Sequence, residues 1–328
     1  MKKFKKILVI IVVFTIIIIA ALIGYVKFAL PNTGEPENIN IEKTAARVER
    51  GKYLANAVSV CMDCHSTRDW SKFSAPMISG TNGKGGDPFT KEMGFPGNFY
   101  APNITPAGIG SWTDGEVFRA ITTGVSQDGR PLFPLMPHPH YGKMDREDIY
   151  SLIAYIRSLP PINNEVPKSE PEFPFSLILQ TIPQKASFSK IPNREKDPIA
   201  YGAYLINAAA CADCHTPVDD KGQPLPGMDF AGGRTFPTPS GIIKTANISQ
   251  DVMTGIGSWT EDVFVSRFKM YADSNYKPQI VEKGEMQTLM PWTMYSHMKT
   301  EDLKAIYAYL KTIKPVKNQV IKFQAIEN

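Results

Sequence analysis

Cys61-Met62-Asp63-Cys64-His65 recurs 150 residues later as Cys211-Ala212-Asp213-Cys214-His215, and the two pentapeptides hold all four cysteines of the 328-residue chain. The repetition runs well beyond them. Gly51-x-Tyr53-Leu54-x-Asn56-Ala57 precedes the first, and Gly202-x-Tyr204-Leu205-x-Asn207-Ala208 precedes the second. Downstream, Asn103-Ile104-Thr105 answers Asn247-Ile248-Ser249, Gly108-Ile109-Gly110-Ser111-Trp112-Thr113 is repeated unchanged from Gly255 to Thr260, and Leu135-Met136-Pro137 answers Leu289-Met290-Pro291. Self-similarity on this scale limits the fold to one unit built twice.

The pentapeptide spacing has a chemical meaning. On a helical turn, residues i and i+3 present side chains on one face about 5–6 Å apart. Two thiols so placed reach the two vinyl groups on one edge of a porphyrin, and the next residue, a histidine, lies on the same face to meet the iron. Cys-x-x-Cys-His is the attachment signature of c-type haem, so two covalently bound haem c groups are expected, on Cys61, Cys64 and His65 and on Cys211, Cys214 and His215. A zinc module brings two Cys-x-x-Cys hooks together over a short gap, unlike these. A thioredoxin-like motif wants a βαβ pattern, which is not visible here. Two disulfides are the other fate of four cysteines in an oxidising compartment, but they leave the adjacent histidines unexplained.

Residues 1–30 read as a membrane anchor. Ile7 to Gly24 has Thr15 as its only polar side chain, with Lys2, Lys3, Lys5 and Lys6 before it and Lys27 after. Basic flanks favour the cytoplasmic side, so a single pass of the cytoplasmic (inner) membrane would put the rest on the periplasmic or extracytoplasmic side. A cleaved signal peptide is the rival, with a shorter apolar region of about 7–15 residues. The remainder divides into repeat units at 43–161 and 198–316, a linker at 162–197 and a tail at 317–328. Pro161, Pro167, Pro171, Pro174, Pro183 and Pro192 make the linker stiff, and its apolar middle, Phe173 to Ile182, is expected to lie on a neighbouring domain. There are 36 Lys and Arg against 32 Asp and Glu, and five of the lysines belong to the N-terminal segment, so the remainder is nearly neutral. No nucleic-acid surface is indicated.

Helical periodicity predicts a helix over 48–60 with Gly51 at a close approach, and capped helices opening at Thr113 and Thr260. The latter should bury Val263, Phe264 and Phe268. Final helices should bury Ile149, Leu152, Ile153 and Ile156 in one copy and Leu303, Ile306, Tyr307 and Leu310 in the other. Copy two is longer before Met290, and the extra residues, around 276–287, read as a solvated loop.

With these elements the chain resembles class I cytochromes c. It is more closely similar to the cytochrome c subunits of membrane-bound alcohol, gluconate and sugar dehydrogenases, on the strength of the Asn-Ile-Thr, Gly-Ile-Gly-Ser-Trp and Leu-Met-Pro segments and the run from Glu301 to Leu310. The three-haem members of that family carry a third Cys-x-x-Cys-His, which these residues lack. The resemblance implies an all-α fold of two tandem class I domains after one transmembrane helix, and a methionine opposite each histidine. Soft thioether sulfur suits haem iron, and Met136 and Met290 occupy equivalent Leu-Met-Pro sites where proline stiffens the loop. Met144 and Met298 read as core residues. His138, His140 and His297 are candidate ligands only for an alternative, a peroxidase-like di-haem enzyme with one open or labile iron; surface or propionate contacts are the simpler roles. Trp112, Trp259, Asn103 and Asn247 either face a propionate or serve packing and turns. With both axial positions filled the iron only changes oxidation state. The expected function is then electron transfer from a redox donor such as a membrane-bound dehydrogenase to a respiratory acceptor such as a terminal oxidase.

Overall fold

The computed structural model describes residues 2–220, 222–238 and 240–325. Its longer helices are α1 (Lys2–Ala29), α2 (Ala45–Tyr53), α3 (Asp114–Thr123), α4 (Arg146–Ile156), α5 (Phe175–Gln180), α6 (Pro198–Ala208), α7 (Glu261–Lys269) and α8 (Thr300–Leu310). In the first half α2 crosses α4, and in the second α6 crosses α8. Glycine permits both crossings: a Cβ on Gly51 would collide with the Ser151 carbonyl oxygen, and one on Gly202 with that of Ala305. Leu54, Ile149, Leu152 and Ile153 are buried around one crossing, and Leu205, Leu303, Ile306 and Leu310 around the other. Each is worth about 1.5–3 kcal/mol relative to exposure.

The helix boundaries follow local chemistry. α2 is capped by Thr44, whose Oγ1 accepts from Arg47 N (3.3 Å); it begins at Ala45, three residues before the predicted start, and continues past Tyr53 as a π-helical turn over Leu54–Val58. Thr113 and Glu116 form the expected capping box at α3. Thr260 caps α7 through Val263 N (3.2 Å), but Val263 itself is turned outward while Phe264 and Phe268 are buried.

The all-α expectation needs correction, because each half also carries a small three-stranded antiparallel sheet. One orders β1 (Pro88–Phe89), β2 (Gly97–Tyr100) and β3 (Glu170–Pro171); the other orders β4 (Thr235–Thr238), β5 (Gly241–Lys244) and β6 (Phe323–Ala325). The central strands alternate buried and half-buried positions, a period of two that covers four residues each and is too short to stand out against the helical pattern. The third strands come from the linker and the tail, so the repeat continues into both.

Across the interface, Tyr204 of α6 donates to Asp148 of α4 (2.7 Å) and Tyr53 of α2 donates to Asp302 of α8 (2.6 Å). The same two hydroxyls accept from the backbone N–H groups of Asp145 (3.2 Å) and Lys299 (3.0 Å). These are repeat-equivalent pairs, so the halves meet through a self-complementary contact of the kind a two-fold dimer makes. Residues 276–287 are no free loop. Phe73 N donates to Gln279 O and Val281 N to Ser71 O, both at 2.8 Å, tying the segment to residues 69–75 of the first half.

α1 buries no residue and, at about 1.5 Å per residue, is long enough to cross an apolar layer of about 30 Å. The linker docks as expected: Leu179 of α5 is buried, and Phe175 meets Phe133 edge-on at 5.7 Å.

Candidate functional site

Each Cys-x-x-Cys-His follows a left-handed residue, Val60 at φ 44° and Ala210 at φ 50°, that breaks the preceding helix and starts a new turn at the first cysteine. A β-branched residue there is unusual and marks a position its surroundings must enforce. All four cysteines are unpaired. Burial pushes the thiols of Cys61, Cys64 and Cys211 up to about 12, so they stay protonated and are not exposed thiolates.

The histidines are held alike. His65 Nδ1 lies 2.8 Å from Pro102 O, and His215 Nδ1 lies 2.8 Å from Ala246 O. A carbonyl only accepts, so Nδ1 carries the proton and Nε2 is left with the free lone pair; among the described residues it has no hydrogen-bond partner. Burial lowers both pKa values, which keeps the rings neutral. An imidazole oriented through Nδ1–H to a backbone carbonyl, with Nε2 open, is the arrangement that metal-ligating histidines adopt. The residues present therefore fit haem c: two thiols and a poised imidazole on one turn, twice.

The glycines that hold the backbone of the two histidines lie outside the motifs. Gly85 N donates to His65 O (2.9 Å) and Gly232 N to His215 O (2.7 Å). Both glycines have positive φ, and a Cβ on either would strike the Pro102–Asn103 or Ala246–Asn247 backbone. The Gly-Gly doublets at 85–86 and 232–233 are the signal from which sequence reading missed these positions. Asn103 and Asn247 prove to be turn residues. Each side-chain oxygen accepts from the N–H two residues on, at 3.0 and 2.9 Å, while Nδ2 donates to Ile162 O and Val316 O, both at 2.8 Å.

Met136 and Met290 are partly buried and pack against the main core cluster, which also takes in Cys61 and Cys211. Both Met-Pro pairs form an inverse γ-turn. Met136 O accepts from His138 N (2.7 Å) around Pro137 at φ −77°, ψ 55°, and Met290 O accepts from Trp292 N (2.8 Å) around Pro291 at φ −78°, ψ 65°. Proline's fixed φ suits this turn. Met144 and Met298 are buried core residues.

The histidines near Met136 depart from the surface role expected of them. His138 is fully buried, its ring against Gly124, and burial lowers its pKa to about 4. His140 reaches across the interface to Asn207 Oδ1 (3.0 Å) and to Asp213 Oδ1 (2.8 Å), inside the second pentapeptide. His297 is exposed, with Nδ1 2.9 Å from Thr293 O. Arg68, also missed, is buried between Asp63 (3.0 Å) and Asp87 (2.5 Å), 4.3 Å from the Trp70 ring centroid. Burial pushes the Asp63 carboxyl up to about 6.

The family model for cytochrome c matches residues 199–314. The cytochrome c subunit of alcohol dehydrogenase (quinone) from Gluconacetobacter polyoxogenes is 28% identical over 287 residues, 83% of this chain and 57% of that protein. The fructose dehydrogenase cytochrome subunit of Gluconobacter japonicus is 30% identical over 285 residues, 81% and 52% respectively. A diheme cytochrome c-type protein of Cereibacter sphaeroides is 27% identical over 267 residues, 77% and 81%. The chain thus spans about half the length of the dehydrogenase subunits it matches. Residues 199–314 form a cytochrome c domain, in a chain similar along most of its length to the cytochrome subunits of alcohol and fructose dehydrogenases.

Proposed function

We propose that this chain is a membrane-anchored di-haem c-type cytochrome, built from two tandem cytochrome c domains, that moves electrons from a dehydrogenase to a respiratory acceptor. The observation that carries the reading is the duplicated histidine geometry, with each Nδ1 2.8 Å from a backbone carbonyl and each Nε2 free beside two unpaired cysteines. Haem c, once attached, supplies an iron that alternates between ferrous and ferric states. The remaining chemistry belongs to the chain. Cys61, Cys64, Cys211 and Cys214 would hold the two groups covalently, His65 and His215 would each supply a nitrogen to an iron, and Met136 and Met290 would each supply a sulfur. A histidine–methionine pair would favour a high potential and would leave the iron no position for oxygen, peroxide or substrate. α1 is the anchor, its lysine-rich start on the cytoplasmic side, with both domains outside the cytoplasm. The relatives' names make a dehydrogenase the natural donor, and a terminal oxidase is the acceptor proposed.

His140 gives the rival with an open iron no support, since it is committed to Asn207 and Asp213. The absorption spectrum of the oxidised protein tests the choice. A methionine-to-iron charge-transfer band with two-haem amplitude is expected; a high-spin haem in the purified protein overturns the carrier reading.

A further inference from the structure

The turn that carries Met290 is held from the other half of the chain. Ser74 lies nine residues after His65, and its Oγ donates to Met290 O (2.8 Å) while accepting from Trp292 N (2.9 Å). Its hydroxyl is thus inserted into the inverse γ-turn, sharing the two groups that close it. Ser74 N donates to Gln287 Oε1 (2.9 Å), and Gln287 Nε2 donates back to the carbonyls of Trp70 (3.2 Å) and Lys72 (3.0 Å). Gln287 Oε1 also accepts from Thr288 N (2.9 Å), and Thr288 Oγ1 accepts from Met290 N (3.1 Å). Ser74, Ala75 and Gln287 are all buried.

Two further features show that this contact is built. Ser74 and Ala75 are consecutive non-glycine residues at φ 66° and 40°, a conformation that costs about 1–3 kcal/mol per residue and persists where surrounding contacts enforce it. Aromatic rings continue the contact: Phe73 stacks on Tyr271 at 6.4 Å, and Tyr271 on Trp292 at 5.1 Å. The turn at Met136 is braced differently, by its own segment, through Met136 N to Phe133 O (3.3 Å).

We infer that Ser74, with Gln287 behind it, is a positioning residue for Met290, so that the loop following the first haem-attachment motif sets how firmly the second iron keeps its methionine. The inference rests on the proposed ligation by Met290. A sulfur on a loop detaches from iron when the loop flexes, and the loop's stiffness fixes the detached fraction. Ser74 raises that stiffness from outside the domain that binds the haem, anchored there by Gln287 of the same domain as Met290, so the two sites are coupled without a shared ligand.

The test uses the full-length haem-loaded protein carrying Met136→Leu, so that the charge-transfer band reports Met290 alone. Imidazole is titrated into the ferric protein, where it captures the iron each time the sulfur leaves. Ser74→Gly removes the hydroxyl yet keeps φ 66° accessible. The variant loses both hydroxyl hydrogen bonds while Trp292 N keeps its bond to Met290 O, and a net loss of about 1 kcal/mol corresponds to a roughly fivefold gain in apparent imidazole affinity. Gln287→Ala is the second variant and should move the same way. In a Met290→Leu control the band should vanish. If the band survives Met290→Leu, the ligation itself is wrong. If it vanishes there but both clamp variants bind imidazole as the parent does, the ligation stands and the positioning role is overturned, even where the unfolding midpoint has dropped.

Discussion

Arg50→Met should be the most damaging single change at the interface between the halves. Asp148, at the start of α4, has a side chain only 3% exposed, and it receives Arg50 Nε and Nη2 at 2.8 Å each from α2 of its own half. Its third partner is Tyr204 from α6 of the other half, at 2.7 Å. Removing one member of a buried pair strands the other charge and typically costs 3–5 kcal/mol, roughly, as against about 0–1 kcal/mol for an exposed pair. Arg50 keeps 27% of its side chain exposed and Tyr204 still donates, so the expected loss is about 2–4 kcal/mol. With a urea slope of about 3 kcal/mol/M, the midpoint falls by roughly 1 M. The assay is urea unfolding in detergent followed by far-ultraviolet circular dichroism. Arg50→Met combined with Asp148→Asn should recover most of the loss, because no unpaired charge remains. A single-variant loss below about 0.5 kcal/mol, or a double variant that simply adds the two single effects, refutes the argument.

Two further outcomes can be measured in the same way. Gly202→Ala forces a methyl group into the Ala305 carbonyl and should lower stability by about 1–3 kcal/mol, with the α-helical signal retained; an unchanged midpoint would show that the crossing is looser than described. The pKa of His140 is raised from 6.5, chiefly by its hydrogen bond to Asp213, so its contribution to stability is complete below pH 6.5 and is lost as pH rises through the folded-state value. The urea midpoint of the parent should therefore fall with rising pH above 6.5 more steeply than that of His140→Gln, and parallel profiles would remove His140 from the interface.

What could be read from the chain depended on how local each interaction is. The cysteines and histidines of both motifs lie within five residues of one another, so their shared face follows from helix geometry alone. The core faces of α4 and α8, the capping box at Thr113 and the need for Gly51 at a close approach follow from the same short-range rules. Pro102 and Ala246 were invisible because they act through backbone carbonyls, which any residue supplies. Val263 was misplaced because a valine beside two phenylalanines reads as core by composition, although the helical turn points it outward. The contacts that Tyr53, Tyr204, His140 and Ser74 make were missed for another reason. Their partners lie in the other half, and no pattern in one chain says which polar side chain will meet which across a distance of many residues.

Attachment of two haems to Cys61, Cys64, Cys211 and Cys214 can be read from the intact mass of the protein purified from a host that matures c-type cytochromes. The expected value is the polypeptide mass plus two haem groups, retained through denaturation in acid, and plus one group when Cys211 and Cys214 are both replaced by alanine. A parent mass matching the bare polypeptide, or one that gains only a single haem, would contradict it.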